Sequence, residues 1–188
     1  MRIVGGTYRG KKLALPEDEH IRPTADRTRE ALFNILGHGS DYRTENGPLP
    51  MGARVLDVFS GTGALGMEAL SRGATHVTFI DNHVGGLKLV KQNIEAFDLR
   101  RSADMLMRDG TAPGTAASPA DLVLLDPPYN KNLAEKALTA LLAGRWVHEG
   151  TICVVELAAK EKFECPAGFE MLDERKYGAA RLIFLKTL

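Results

Sequence analysis

The stretch Asp57 to Gly66, "DVFSGTGALG", follows an apolar segment at Arg54–Val58 and opens into a segment with helical spacing at Ala64–Ser71. Glycines in that pattern make a tight strand-to-helix turn, bring backbone close to a ligand and aim a helix amino terminus at a negative group. The turn fixes the class of fold, because strand-like and helix-like segments go on alternating downstream, as in a doubly wound α/β sheet. The spacing predicts strands at His76–Ile80 and Met105–Arg108, then at Asp121–Leu125 and Thr151–Leu157, with helices at Val84–Phe97 and Leu133–Leu142. Asp121–Leu125 is nearly continuous in apolar residues and suits a strand buried on both faces. Two further strands, Phe169–Arg175 and Arg181–Lys186, flank Tyr177-Gly178-Ala179 and form an antiparallel hairpin at the sheet edge. "GTAPGTAASPA" after Asp109 reads as a turn-rich connection with a short helical piece.

The first 50 residues differ in character and read as an extension, with the main domain at 51–188. "RIVGGTYRGKKLAL" suggests two short strands around glycine turns, with Arg2, Arg9, Lys11 and Lys12 in the first twelve positions and no acid among them. Ala25–Leu36 has helical spacing, and Tyr42–Gly52 reads as a linker. The chain's 188 residues and 44% hydrophobic content suffice for one core. Equal numbers of basic and acidic residues, 24 each, remove any global electrostatic argument for nucleic acid and leave only local asymmetry. Cys153 and Cys165 are too few for a disulfide framework, and no histidines accompany them at metal spacing. No metal site is expected. Without a signal-like or membrane-spanning apolar run, a soluble cytoplasmic protein is the expectation.

Asp57 narrows the ligand. A carboxylate about 4 Å from a pyrophosphate is repelled by roughly 4 kcal/mol at an effective dielectric of 20, which disfavours a dinucleotide. S-adenosylmethionine instead carries an ammonium and a sulfonium, with one carboxylate for the helix amino terminus. Asp57 equally suits capping of the turn that follows. Asp81, ending the second strand, can accept from ribose hydroxyls of either cofactor. Asp109, at the end of the third, can accept from an adenine amino group while Gly110 N–H donates to the ring. A solvated turn explains Asp109 as well.

Asp126-Pro127-Pro128-Tyr129 ends the fourth strand, beside the place where ligands bind such sheets. The two prolines supply carbonyls without N–H groups. An exocyclic amine on a base is a poor nucleophile because its lone pair is delocalised. If the Asp126 carboxylate and the Pro127 carbonyl each accept one amine hydrogen, the nitrogen can pyramidalise and aim its lone pair at a methyl donor. Tyr129 stacks on the flipped base, a contact worth roughly 1–3 kcal/mol. The competing reading is a stiff turn after a strand.

With Asp57, Phe59, Gly61 and Gly63 followed by Asp126 to Tyr129, the chain resembles the amino-methylating class I methyltransferases. More narrowly, "RIVGGTYRGKKL", "RPTADRTREALFNIL", "DVFSGTGALGMEALSRGA" and "LDPPY" together resemble the RsmD family, which methylates a guanine N2 in small-subunit (16S) ribosomal RNA. The resemblance implies a Rossmann-like, seven-stranded sheet with an amino-terminal hairpin and helix near the active site. It implies that the glycine loop with Phe59, Gly61 and Gly63, then Asp81 with Asn82, and Asp109 with Gly110, bind S-adenosylmethionine. Asp126, Pro127, Pro128 and Tyr129 would hold the guanine amine. Arg22, Pro23 and Thr24 match the family's "RPT", and Arg27, Arg29 and Glu30 its following helix, so this segment would cover the cofactor or touch RNA. The substrate would be 16S ribosomal RNA in an assembling small subunit. Gly37–Met51 departs from the pattern.

Other readings differ in what they leave unexplained. The same acceptor geometry serves adenine N6 in DNA or RNA, or a protein glutamine amide. A nicotinamide-dependent oxidoreductase leaves Asp57 and the acceptor motif without a role, and a non-catalytic RNA-binding module leaves the motif idle. Arg2, Arg9, Lys11 and Lys12 suit phosphates or a solvated face. Asn132 suits a helix cap.

Overall fold

A computed structural model of the chain describes residues 1–16 and 23–188, with side chains described from Asp26 onward in the first helix. In chain order the elements are α1 (Pro23–His38), the short strands β1 (Arg43–Thr44) and β2 (Gly47–Pro48), β3 (Arg54–Val58), α2 (Ala64–Ser71), β4 (His76–Asp81), α3 (Val84–Ala96), β5 (Ala103–Met107), β6 (Ala120–Leu125), α4 (Leu133–Ala143), β7 (Val147–Ala158), β8 (Phe169–Tyr177) and β9 (Ala180–Thr187). Seven strands form one sheet in the order β5-β4-β3-β6-β7-β9-β8. The pairs from β5 across to β7 are parallel, and β9 runs antiparallel between β7 and β8. The carboxyl-terminal hairpin thus lies at one edge as expected, with its second strand inside the sheet.

β6 lies at the centre because it can be buried on both faces. Leu122, Val123, Leu124 and Leu125 are each at most 1% exposed. Side chains alternate across a strand, so Leu122 and Leu124 join the layer that holds Leu32 and Phe33 of α1, Met67 of α2 and Ile94 of α3. Val123 and Leu125 join the layer under α4, with Ala137, Leu138 and Leu141. Each such fully buried side chain contributes roughly 1.5–3 kcal/mol. Gly66 lets α2 lie close on β4: a Cβ there would stand 2.3 Å from Phe79 Cε1.

Three connections differ from the sequence reading. At the amino terminus the two expected strands contract to a single antiparallel bridge, Arg2 to Lys12. Ile3 N–H and Gly10 N–H still pair within the hairpin, with the Lys11 and Ile3 carbonyls, while three donors turn to α2 instead, Val4 N–H to Glu68 at 2.9 Å, Thr7 N–H to the Ser71 carbonyl at 2.8 Å and Tyr8 N–H to Ser71 Oγ at 2.9 Å. The expected linker at 42–52 is packed into the core, with Tyr42 and Leu49 only 5% and 2% exposed and the Tyr42 ring 5.2 Å from that of Phe184. Finally, 108–119 holds no helical piece. Pro113 and Pro119 cannot donate to a helix, and the loop is stapled from outside by Trp146 Nε1–H to the Gly114 carbonyl and Ala116 N–H to the Gly144 carbonyl. Among the described residues no helix is long and apolar enough to cross a membrane.

Candidate active site

The carboxyl ends of β3, β4, β6 and β7 converge on one edge of the sheet. After Val58 the chain turns through Phe59, Gly61 and Gly63, all with left-handed backbone (φ 60°, 50° and 76°). Glycine takes that conformation freely, whereas a phenylalanine there costs about 1–2 kcal/mol. The Phe59 ring lies against Gly110, where a Cβ would stand 2.7 Å from Phe59 Cζ, so the end of β3 is locked to the segment after β5.

Two carboxylates brace this loop from below. Asp57, 1% exposed, accepts from Gly66 N–H at 2.8 Å, and Asp81 accepts from Gly61 N–H at 2.7 Å and from His83 N–H at 2.8 Å. Asp57 therefore takes the turn-capping role, holding an amide in the first turn of α2. Burial pushes its pKa up to about 8 against the pull of the Gly66 hydrogen bond, and the Asp81 charge adds to the rise. Asn82 lies exposed where β4 ends. Asp109 is exposed, and one oxygen accepts from both Thr111 N–H and Thr111 Oγ–H at 2.7 Å. These bonds hold its carboxyl below the usual range.

The loop has room and chemistry for a polar ligand. A Cβ at Gly61 would meet nothing within 4 Å, and Ser60 Oγ is buried without a hydrogen-bond partner. A buried, unsatisfied hydroxyl is costly unless something else satisfies it.

Asp126 N–H reaches the Val58 carbonyl at 3.4 Å, which sets the Asp126-Pro127-Pro128-Tyr129 segment beside the glycine loop. Pro127 is buried, while Asp126, Pro128 and Tyr129 retain accessible surface. Glu156, which the sequence reading did not single out, completes the group. Leu125 pairs with Val155 across the parallel β6–β7 ladder, so Asp126 and Glu156 are the next residues on neighbouring strands, and Tyr129 Oη–H donates to Glu156 at 3.0 Å. Enclosure by protein, then the charges of Glu156 and Asp57, raise the proton affinity of Asp126 well above the ordinary carboxylate range. Water at its open side limits that rise. Burial raises Glu156 likewise, opposed by the Tyr129 hydrogen bond. Of the two acids Asp126 carries the added rise from its neighbour's charge, whereas the Tyr129 hydroxyl favours the ionised form of Glu156. The sequence signal for Glu156 is a lone acid in the apolar run "CVVELA". Asn132 stands at the start of α4 but its side chain makes no cap bond.

The basic residues divide. Arg2, Arg9, Lys11, Lys12 and Arg27 are exposed. Arg2 donates to the Gly10 carbonyl at 2.7 Å, and Lys11 Nζ lies 4.8 Å and 5.1 Å from the Tyr8 and Phe97 rings. Phe97 follows the far end of α3, a 13-residue helix, so this basic turn is about 20 Å from the ligand edge at 1.5 Å per residue. Arg29 departs from its expected place on an RNA-facing surface. It is 3% exposed and donates to the Arg2 carbonyl at 2.6 Å and to Asp26 at 3.0 Å, with Nε 3.4 Å from the buried Glu68. The side chain turns inward because a buried guanidinium needs compensating charge and acceptors, which the Glu68 carboxylate and the Arg2 carbonyl supply there. Arg22 and the side chain of Thr24 lie outside the described residues.

Residues 1–186 match the model of the family described as Conserved hypothetical protein 95. The chain is 32% identical over 187 residues to ribosomal RNA small subunit methyltransferase D of Haemophilus influenzae, covering 95% of this chain and 89% of that one. It is 35% identical over 159 residues to the protein of that name in Escherichia coli K12, covering 83% of this chain and 74% of the relative. The solved structure of the E. coli methyltransferase candidate yhhF superposes with a TM-score of 0.82 at 30% identity, covering 100% of this chain and 97% of that one.

Proposed function

This chain belongs to the Conserved hypothetical protein 95 family, that of the RsmD methyltransferases, and from that premise we propose that it methylates the exocyclic N2 of one guanine in 16S ribosomal RNA, using S-adenosylmethionine. The observation that carries this reading is the placement of Asp126-Pro127-Pro128-Tyr129 against the glycine loop through Asp126 N–H and the Val58 carbonyl. It brings an amine-accepting segment next to a cofactor-type cradle. When bound, S-adenosylmethionine supplies an electrophilic methyl group on its sulfonium.

The chain's own residues do the rest. The open face at Gly61 and the unpartnered Ser60 hydroxyl suit a polar cofactor, with Asp57, Phe59, Gly63, Asp81 and Asn82 around it and Asp109 and Gly110 beside its base. Asp126 and the Pro127 carbonyl accept the two amine hydrogens and restore the nitrogen's lone pair. As N2 gains a carbon it must lose a proton. Asp126, whose proton affinity its surroundings raise, is placed to take it. Tyr129 stacks on the base, and the exposed Arg2, Arg9, Lys11, Lys12 and Arg27 neutralise phosphates of an RNA that extends away from the reacting base. A net charge of zero favours RNA presented within an assembling small subunit over free RNA.

Asp126→Ala should lower methyl transfer by at least about 100- to 1000-fold while calorimetric binding of S-adenosylmethionine largely persists. Loss of cofactor binding with transfer intact would reverse the assignment. Transfer to 30S-type particles, compared with naked 16S RNA and read by mass spectrometry of the product base, tests the substrate. Methyl on adenine N6 or on a protein glutamine would displace guanine.

A further inference from the structure

We propose that Glu156 selects guanine, by accepting a hydrogen bond from the ring N1–H beside the amine that Asp126 holds. The inference rests on the guanine N2 reading above and adds a residue to it.

Asp126 and Glu156 stand side by side at the ends of neighbouring parallel strands, one residue beyond the Leu125–Val155 pair, and strands in such a ladder are about 4.8 Å apart. Tyr129 reaches across to Glu156 at 3.0 Å. The stacking residue and both carboxyl groups therefore border one space. A carboxylate accepts several hydrogen bonds, so the Tyr129 hydroxyl does not saturate Glu156.

The question is which amine has a second donor next to it on the same edge. Adenine places the bare N1 lone pair beside its 6-amine, and cytosine places N3 beside its 4-amine. A glutamine amide places its own carbonyl there. In each case a carboxylate next to Asp126 meets another acceptor. Guanine alone among these offers N1–H directly beside N2, so two adjacent acceptors meet two adjacent donors. The Asp-Pro-Pro-Tyr segment recognises an amine, and Glu156 decides whose amine it is.

The test uses 30S-type particles carrying 16S RNA with either guanine or 2-aminopurine at the methylated position. 2-Aminopurine keeps the 2-amine but has a lone pair at N1. The wild-type enzyme should favour guanine by at least about 100-fold in kcat/KM, because the analogue leaves a carboxylate facing an acceptor. In Glu156→Gln the amide oxygen can keep the Tyr129 hydrogen bond while its NH2 faces the base, so the preference should collapse or reverse. Tyr129→Phe should keep the preference while overall transfer falls. Wild-type enzyme that methylates both bases equally overturns the proposal, even if the Glu156 variant fails to fold. So does a Glu156→Gln enzyme with the wild-type ratio. If the wild type methylates no guanine amine at all, the functional reading itself fails, which is a different result from guanine methylation without discrimination.

Discussion

Replacing Arg29 separates two roles for one side chain. Arg29→Ala removes a guanidinium that is 3% exposed and contacts the Arg2 carbonyl, Asp26 and Glu68. Glu68, fully buried, keeps Arg72 at 2.8 Å and the Val4 N–H at 2.9 Å, while the Arg2 carbonyl loses this donor. Breaking a buried ion pair costs about 3–5 kcal/mol. The second arginine lightens that loss, and the Arg29 Nε contact at 3.4 Å is a charge contact without a hydrogen bond. About 2–4 kcal/mol is therefore expected. For a chain of this length that corresponds to a Tm lower by about 5–15 °C, measured by calorimetry or urea denaturation. The RNA arm is equally specific. A lost phosphate contact makes the dependence of log affinity on log salt shallower by about 0.7–0.9. Arg29→Ala should leave that slope unchanged once the variant is assayed below its melting point, whereas Arg27→Ala, Arg9→Ala or Lys12→Ala should flatten it. An Arg29→Ala protein that melts within about 2 °C of wild type and binds RNA with a shallower slope would refute the structural role.

Two further outcomes concern the glycine loop. Because burial raises the folded pKa of Asp57 to about 8 from its ordinary 3.8, the unfolded chain releases this proton first as pH rises. The associated stability is full below about pH 4 and is lost progressively toward pH 8, by a few kcal/mol at most. Asp57→Asn, which can still accept from Gly66, should flatten the decline in urea midpoint between pH 5 and pH 8; equal declines in both proteins would contradict the linkage. Gly66→Ala would drive a methyl to 2.3 Å from Phe79 Cε1 and 2.9 Å from Val77 Cγ1, an overpacking cost of about 1–3 kcal/mol. Gly61→Ala has open space and carries only the left-handed backbone cost of about 1 kcal/mol. Thermal denaturation should rank Gly66→Ala as the more damaging, and the opposite order would argue against close packing of α2 on β4.

What the sequence discloses follows from how local its cause is. β6 was legible because four consecutive apolar residues, Leu122 to Leu125, need burial on both faces whatever their partners. The strand–glycine–helix turn at Asp57 was legible because its φ demands are written in the residues themselves. Arg29 was not, since its burial depends on Glu68, nearly forty positions away, and an arginine on a polar-looking helix carries no mark of that partner. Tyr42 and Leu49 sit among Gly, Pro and Asn, so their pattern reads as a linker, although each inserts a single side chain into the core. Glu156 was hidden for a related reason. Its neighbour Asp126 belongs to another strand, and only the register of β6 on β7 makes the two acids adjacent.

The backbone of Phe59, held left-handed and clamped by its ring against Gly110, has a kinetic consequence. The cradle acquires its shape when the chain folds, with Asp57 and Asp81 fastening the amides of Gly66 and Gly61 before any ligand arrives. Little ordering entropy is then left to be lost on association, and no relaxation of the loop helps expel what is bound. For the proposed cofactor site this predicts release timed by the contacts to the departing molecules rather than by an opening of the loop beneath them.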